Sequence, residues 1–383
     1  MVKAIKKIWY KFVVLSMNFV YFFFKLLPTQ NKVSFHSRLV ENEEPLDFQL
    51  VREEIERRDP KCKTVLLAKR LKRISIKIFN TTIETGDISY VFYLIKRMYH
   101  IATSKACVID SYIIPISVLK HKKDLIVIQI PHGMGAIKKV GYQVVNKGEG
   151  DDQEVAEDMQ MHKNYDYVIA NGPEAGKWYV EGYRVDPDTI NLAGMPRIDY
   201  LRDTKDQVDP KIKEMCPTLD KKKTIVYIPT FRRGKNVETE DLINAVDYDK
   251  YNLIITCHPN NRITSKNPNV IISTNEDVLY HEWIKVADYF ITDYSAVVFE
   301  ALLLNKKIFL YVYDFDEYEK ERGFNLNWFK ELPEYTSKDP KEIVNLINKD
   351  NYDLSKLDDI KDRYLSARNN NCTKEIVDLI YED

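Results

Sequence analysis

The sequence predicts an α/β fold made of two nucleotide-binding-type domains facing each other across a cleft, preceded by an amphipathic helix. Three observations lead there. Short apolar runs alternate with stretches of helical period, and they do so in two series. A polar, proline-containing segment at 202–222 separates the series. The first 28 residues differ in kind, being basic and then dense in aromatics. A length of 383 residues exceeds one ordinary core and suits two. Lys plus Arg total 57 against 58 Asp plus Glu, so no net field favours nucleic acid as a partner. The five cysteines, at 62, 107, 216, 257 and 372, form no CxxC pair. Neither a disulfide framework nor a zinc site is indicated, and a reducing cytoplasm fits.

The opening segment, MVKAIKKIWYKFVVLSMNFVYFFFKLLP, has no small-residue cleavage site. Its longest uncharged run, Phe12 to Phe24, is shorter than the roughly 20 residues of a spanning helix. At helical spacing Lys3, Lys7, Lys11, Asn18 and Lys25 fall in one narrow sector, and the remaining surface is apolar. That suits a helix lying in a membrane interface with its lysines at anionic headgroups. A helix packed on the protein's own core is the alternative.

The first α/β series follows Pro28. KVSFHS (32–37), TVLLA (64–68), ACVIDS (106–111), DLIVIQI (124–130) and YDYVIA (165–170) read as strands. Helices are expected over 44–58, 87–100, 112–120 and 173–183. Segment 202–222 reads as the interdomain linker. The second series has strands at 224–230, 253–259, 270–274, 289–293 and 307–313, and the tail from about 340 is helical. The expected divisions are 1–28, 29–205 and 206–383, with the C-terminal helices packing back on the first domain.

In parallel α/β sheets ligands sit at the carboxyl ends of strands. Five strand exits carry polar residues beyond a turn's needs. PHGMGAIKKVGY (131–142) offers His132, Gly133, Lys138 and Lys139. AGMPRID (193–199) offers Arg197, which a pairing with Asp199 would also explain. PTFRRGK (229–235) offers Thr230 and Arg232, and CHPN (257–260) offers His258. The fifth, ITDYSAVVFEAL (291–302), offers Thr292, Asp293, Ser295, Ala296 and Glu300, with Ser295 as the expected helix N-cap beside free amides suited to phosphate. YDFDEYEKERGFN (313–325) adds Arg322.

Taken together these motifs resemble the CDP-glycerol glycerophosphotransferase family of teichoic acid biosynthesis, over about 120 to 325. The resemblance implies a GT-B-like fold of two Rossmann-type domains and a peripheral place on the cytoplasmic face of the membrane of a Gram-positive bacterium. It implies transfer of glycerol or ribitol phosphate from a CDP-polyol to a hydroxyl of a lipid-linked saccharide or a growing polyol-phosphate polymer, releasing CMP. Carried onto this sequence, His132 and His258 are catalytic. Thr230, Arg232, Thr292, Asp293, Ser295, Ala296, Glu300 and Arg322 hold the donor. Gly133, Lys138, Lys139 and Arg197 lie on the acceptor side. No cofactor is obligatory and no acidic cluster demands a metal, which leaves a divalent cation open. Met134 stands where the family usually has Thr, Ala296 where a second Ser is common and Glu300 where Asp is most frequent, which points to an unusual donor or acceptor. A nucleotide-sugar transferase of cell-surface polysaccharide and a non-catalytic nucleotide- or polymer-binding membrane scaffold are the other readings.

Overall fold

A computed structural model of the chain describes residues 2–38, 43–69, 73–78, 81–86, 88–147, 150, 152–230, 232, 237–257 and 263–382. The chain forms two compact units. The first comprises Met1–His132, Val140–Arg197 and Asn369–Asp383, and the second Gly133–Lys139 and Ile198–Arg368.

In the first unit the strands are β1 (Lys32–Ser37), β2 (Lys63–Ala68), the hairpin β3 (Arg73–Ile78) and β4 (Thr81–Gly86), β5 (Ala106–Ile109), β6 (Ile126–Gln129), β7 (Tyr167–Ile169) and β8 (Ile190–Asn191). All but the hairpin form one parallel sheet in the order β2-β1-β5-β6-β7-β8. Val33, Phe35, Val108, Ile128 and Ile169 are fully buried in it, as expected of a parallel sheet covered on both faces. The last helix, Cys372–Tyr381, packs on Leu46–Arg58 and is tied by an Arg58–Asp378 ion pair at 2.5 Å. The antiparallel hairpin was not anticipated, although RISIKI alternates with a period of two.

In the second unit the strands are β9 (Lys223–Ile228), β10 (Tyr251–Cys257), β11 (Val270–Thr274), β12 (Tyr289–Thr292), β13 (Lys307–Tyr311) and β14 (Thr336–Ser337), in the parallel order β11-β10-β9-β12-β13-β14. Much of segment 202–222 is packed structure and not a tether. It contains the helix Pro210–Met215, capped by the Asp209 side chain, and buries Ile212 and Cys216. Pro210 opens that helix at a position where its missing N–H costs nothing.

The N-terminal helix spans Val2–Lys25. Tyr21 is buried with its hydroxyl 3.0 Å from His121 Nδ1. The Asn18 side chain donates to Val118 O at 2.9 Å and accepts from Lys120 N at 3.0 Å. The sector expected to meet only headgroups is therefore partly spent on the protein. Lys7 and Lys11 are exposed, and Lys25 is half-buried 6.0 Å from the Tyr21 ring. The Lys3 side chain lies outside the described residues. Among the described residues, no helix is long and apolar enough to cross a membrane.

Candidate functional site

Each six-stranded sheet has one place where the strand order reverses, and the crevice beyond that point is where open α/β sheets bind ligands. In the second unit it lies between β9 and β12, which pair in parallel with Ile228 opposite Thr292. Just past those residues the chain places Thr230 on one side and Asp293 on the other.

Asp293 is fully buried. Its carboxylate accepts from Thr230 N at 2.9 Å, Tyr294 N at 2.6 Å and Arg232 Nη2 at 3.0 Å. Arg232 also donates to both oxygens of Asp314, at 2.8 and 3.0 Å, and to Thr230 O at 2.8 Å. Burial opposes its charge, but Asp293 and Asp314 overcome that and hold the guanidinium pKa above its usual value. Arg232 and Asp293 thus knit the exits of β9, β12 and β13 together. Their charges are matched inside the unit, whereas the sequence reading has them holding the donor. Thr292 is likewise internal, its hydroxyl donating to Ile228 O at 2.7 Å. The Thr230 hydroxyl is buried and has no hydrogen-bond partner among the described residues. Asp314, essential to this arrangement, was missed by sequence reasoning because its partner lies 82 residues away.

The turn after Asp293 is the part left for a ligand. The helix here is Val298–Leu303, with Val297 at the N-cap position and no side-chain cap. Ser295 is therefore not the N-cap. Its carbonyl accepts from Val298 N at 3.3 Å and that of Ala296 accepts from Phe299 N at 3.1 Å, a tight turn of i+3 bonds. Among the described residues no group accepts from the amides of Ser295, Ala296 or Val297. Three consecutive amides without an internal acceptor, in a turn conformation, are donors of the kind that bind anions.

Gly133–Lys139 belongs to this second unit. That corrects the placing of Gly133, Lys138 and Lys139 with the first domain. A Cβ on Gly133 would lie 2.8 Å from Ala296 Cβ, and one on Gly135 would lie 2.5 Å from the Phe299 ring. Only glycine lets the segment approach so closely. Further along, Lys139 N donates to Gly323 O at 3.1 Å, Asn325 N to Ile137 O at 2.7 Å and Asn325 Nδ2 to Ala136 O at 2.8 Å. Arg322 Nε points at Lys139 O at 3.4 Å. The structure therefore brings together three separate motifs: Gly133–Lys139, the 293–300 turn and helix start, and 322–325. Beneath them Tyr294 packs against Tyr318 and Phe324, each with its ring centroid 4.7 Å away.

Glu300 is buried on the Val298–Leu303 helix. It accepts from the Tyr280 hydroxyl at 3.1 Å, and its other oxygen lies 3.3 Å from His281 Nε2. Tyr280 and His281 were not singled out in the sequence, since HEWIKV carries an ordinary amphipathic pattern. His258 lies outside the described residues.

In the first unit, His132 is exposed and its carbonyl accepts from Arg197 Nη2 at 3.1 Å. Arg197 is buried and paired with Asp47 through its Nε at 3.0 Å and through Nη2. This cation, expected on the acceptor side, is thus paired inside the unit, and its partner is not Asp199, which pairs with Arg202. The reversal point of this unit lies between β1 and β5, with His36 opposite Ile109. Asp110 follows directly, buried, accepting from the Ser111 hydroxyl at 2.8 Å. Burial pushes its carboxyl up to about 6 against the help of Ser37, Ser111 and the Arg97 charge.

A family model described as "CDP-Glycerol:Poly(glycerophosphate) glycerophosphotransferase" matches residues 19–382. The chain is 27% identical to the teichoic acid ribitol-phosphate primase of Bacillus spizizenii (strain ATCC 23059 / NRRL B-14472 / W23), over 93% of this chain and 92% of that protein. It is also 27% identical to the teichoic acid glycerol-phosphate primase of Bacillus subtilis (strain 168), over 75% of this chain and 76% of that one. A solved structure of the wall teichoic acid polymerase TagF matches with a TM-score of 0.71 at 21% identity, covering 100% of this chain and 98% of that chain. The α/β fold of two parallel six-stranded sheets is thus shared with that polymerase.

Proposed function

We propose, from the premise that the chain belongs to the CDP-glycerol:poly(glycerophosphate) glycerophosphotransferase family, that it transfers a polyol phosphate from a CDP-polyol to an acceptor hydroxyl and releases CMP. The acceptor is a lipid-linked saccharide or a growing polyol-phosphate chain. Glycerol and ribitol phosphate both remain within this reading, because primases of each kind match at the same identity.

The observation that carries the reading is the run of unbonded amides at Ser295–Val297 at the strand-order reversal of the second unit. It supports the binding of the donor diphosphate there, with the Thr230 hydroxyl as a further donor. Arg322 adds positive charge, and Glu300 accepts from the ribose hydroxyls. Asp293, Arg232 and Thr292 act indirectly by holding the turn in shape. His132, covalently adjacent to Gly133, is the proposed base. The acceptor oxygen attacks the β-phosphorus of the CDP-polyol as His132 takes its proton. The bond from that phosphorus to the bridging oxygen breaks, and CMP departs with the electron pair.

General base catalysis contributes about 10²–10⁴ in rate. His132→Ala is therefore expected to lose most CMP release from CDP-glycerol or CDP-ribitol with a lipid-linked disaccharide acceptor, while calorimetry shows CDP-polyol binding retained. Near-full turnover in that variant would remove His132 from the role. Absence of CMP release from either donor by the unmodified chain would remove the function itself.

A further inference from the structure

The N-terminal helix leaves one face uncovered. Ile8, Phe12, Leu15, Phe19 and Phe22, followed by Leu26 just past the helix end, recur at alternating spacings of four and three, and each is 53–70% exposed. Side chains at those spacings form one line along a helix. A continuous apolar line on a surface marks an interaction site. The helix is fixed to the first unit along a different sector, about a quarter turn away at 100° per residue. There Asn18 clamps it to the loop at 118–120.

Beside that clamp is a cavity of about 440 Å³. Its volume falls within the ~300–1,000 Å³ of small-molecule sites. Val14 and Asn18 of the helix form one wall, and Lys120, Lys122, Lys123 and Lys163 supply positive charge. Two of these cations are engaged. Lys122 Nζ donates to Leu27 O at 2.7 Å, and Lys163 Nζ donates to Gln160 Oε1 at 2.8 Å. Lys120 and Lys123 are exposed and form no ion pair among the described residues. The lining carboxylate, Asp166, accepts from Val127 N at 2.7 Å. Nearby Asp124 accepts from the Thr29 hydroxyl at 3.0 Å. The cavity is thus a concentration of cations whose charge the protein leaves unbalanced.

We propose that this cavity holds the phosphate of an anionic phospholipid headgroup, with Lys120 and Lys123 supplying the charge and Asn18 holding their loop against the helix. The inference rests on the reading of the N-terminal helix as membrane-seated and adds a headgroup site to it. A helix that sinks its apolar face roughly 5–10 Å into the acyl boundary keeps its flanks at the phosphate level. Charge complementarity selects an anionic lipid, because each lysine near such a surface favours binding by about fivefold.

The test uses the full chain with vesicles of phosphatidylcholine alone and of phosphatidylcholine with phosphatidylglycerol. Lys120→Gln/Lys123→Gln is expected to weaken binding to the anionic vesicles about tenfold or more and to leave binding to neutral vesicles unchanged. Lys341→Gln/Lys349→Gln in the second unit is expected to change neither. Anionic vesicles, and not millimolar inorganic phosphate, are expected to protect Lys120 and Lys123 from amine acylation. An equal loss in the two double variants would mean diffuse charge and overturn the site. Equal protection by free phosphate would overturn the lipid as its source. Absence of binding by the unmodified chain to either vesicle would remove the membrane reading on which the site rests, while CMP release reports on the catalytic reading separately.

Discussion

The two units meet the same topological problem with opposite electrostatics. In each, an aspartate follows the second strand at the point where strand order reverses, Asp110 after β5 and Asp293 after β12. Asp293 is matched by Arg232 and by two backbone amides, and Arg232 is matched in turn by Asp314. Asp110 is buried with hydroxyl partners and, among the described residues, without an ion pair. Burying a carboxylate is costly unless it is paired. The second unit therefore spends charges to fix the backbone, which leaves the 295–297 amides as the polar surface. The first unit retains a carboxyl whose ionisation the fold resists.

The largest effect that probes this contrast is expected from Arg232→Met. Removing the guanidinium leaves Asp293 and Asp314 without their cation. Breaking a buried pair in this way costs about 3–5 kcal/mol. Urea unfolding should show a loss of that order, with Arg232→Lys giving little rescue because one ammonium cannot span both carboxylates and Thr230 O. A loss below about 1 kcal/mol would be typical of an exposed pair and would show that these charges are solvated, erasing the difference between the units.

The next effect is expected at Asp110, with the opposite sign. Its carboxyl rises from 3.8 to about 6 on folding. A raised acid contributes stability below the unfolded value and loses it as pH climbs through the folded one. The wild type should therefore lose stability between about pH 4 and 6 from this group, by up to about 3 kcal/mol. Asp110→Asn removes the ionisation and keeps the shape. It is expected to be more stable than the wild type at pH 8 by about 1–3 kcal/mol, with the gain shrinking towards pH 5 in urea titrations. Parallel pH profiles for the two proteins would mean that Asp110 is as well compensated as Asp293.

The sequence made the strands legible because short β-branched apolar runs such as TIVYI and LIITC, bounded by turn residues, suit the inner strands of a covered sheet. Strand exits were legible for the same reason, since polar residues there interrupt the run. What those polar residues do was not legible. Arg232 looked like a phosphate ligand because its partners lie 61 and 82 residues downstream. Arg197 looked paired with its near neighbour Asp199, whereas Asp47 lies 150 residues upstream. Segment 202–222 looked like a tether because its polar residues outnumber the buried Ile212 and Cys216. The membership of Gly133–Lys139 in the second unit rests on close backbone approach, which shows in a sequence only as glycine.

That close approach gives the smallest expected effect and the sharpest separation of structure from function. Gly133 sits where an added Cβ would be 2.8 Å from Ala296 Cβ, closer than side-chain carbons pack. Gly133→Ala must therefore push the segment or the 295–297 turn by a few tenths of an ångström. The buried lattice of Arg232, Asp293 and Asp314 involves neither residue and should hold, so stability should change by less than about 1 kcal/mol. Amides that must meet a phosphate in one geometry tolerate displacement less well, and about a tenfold loss of CMP release is expected. Ala296→Gly in the same chain removes the opposing carbon. The double variant should recover most of the lost rate, whereas Ala296→Gly alone should not raise it. A double variant as slow as Gly133→Ala would mean that the steric contact with Ala296 is not what the glycine protects, and that the turn does not owe its catalytic geometry to the Gly133–Lys139 segment.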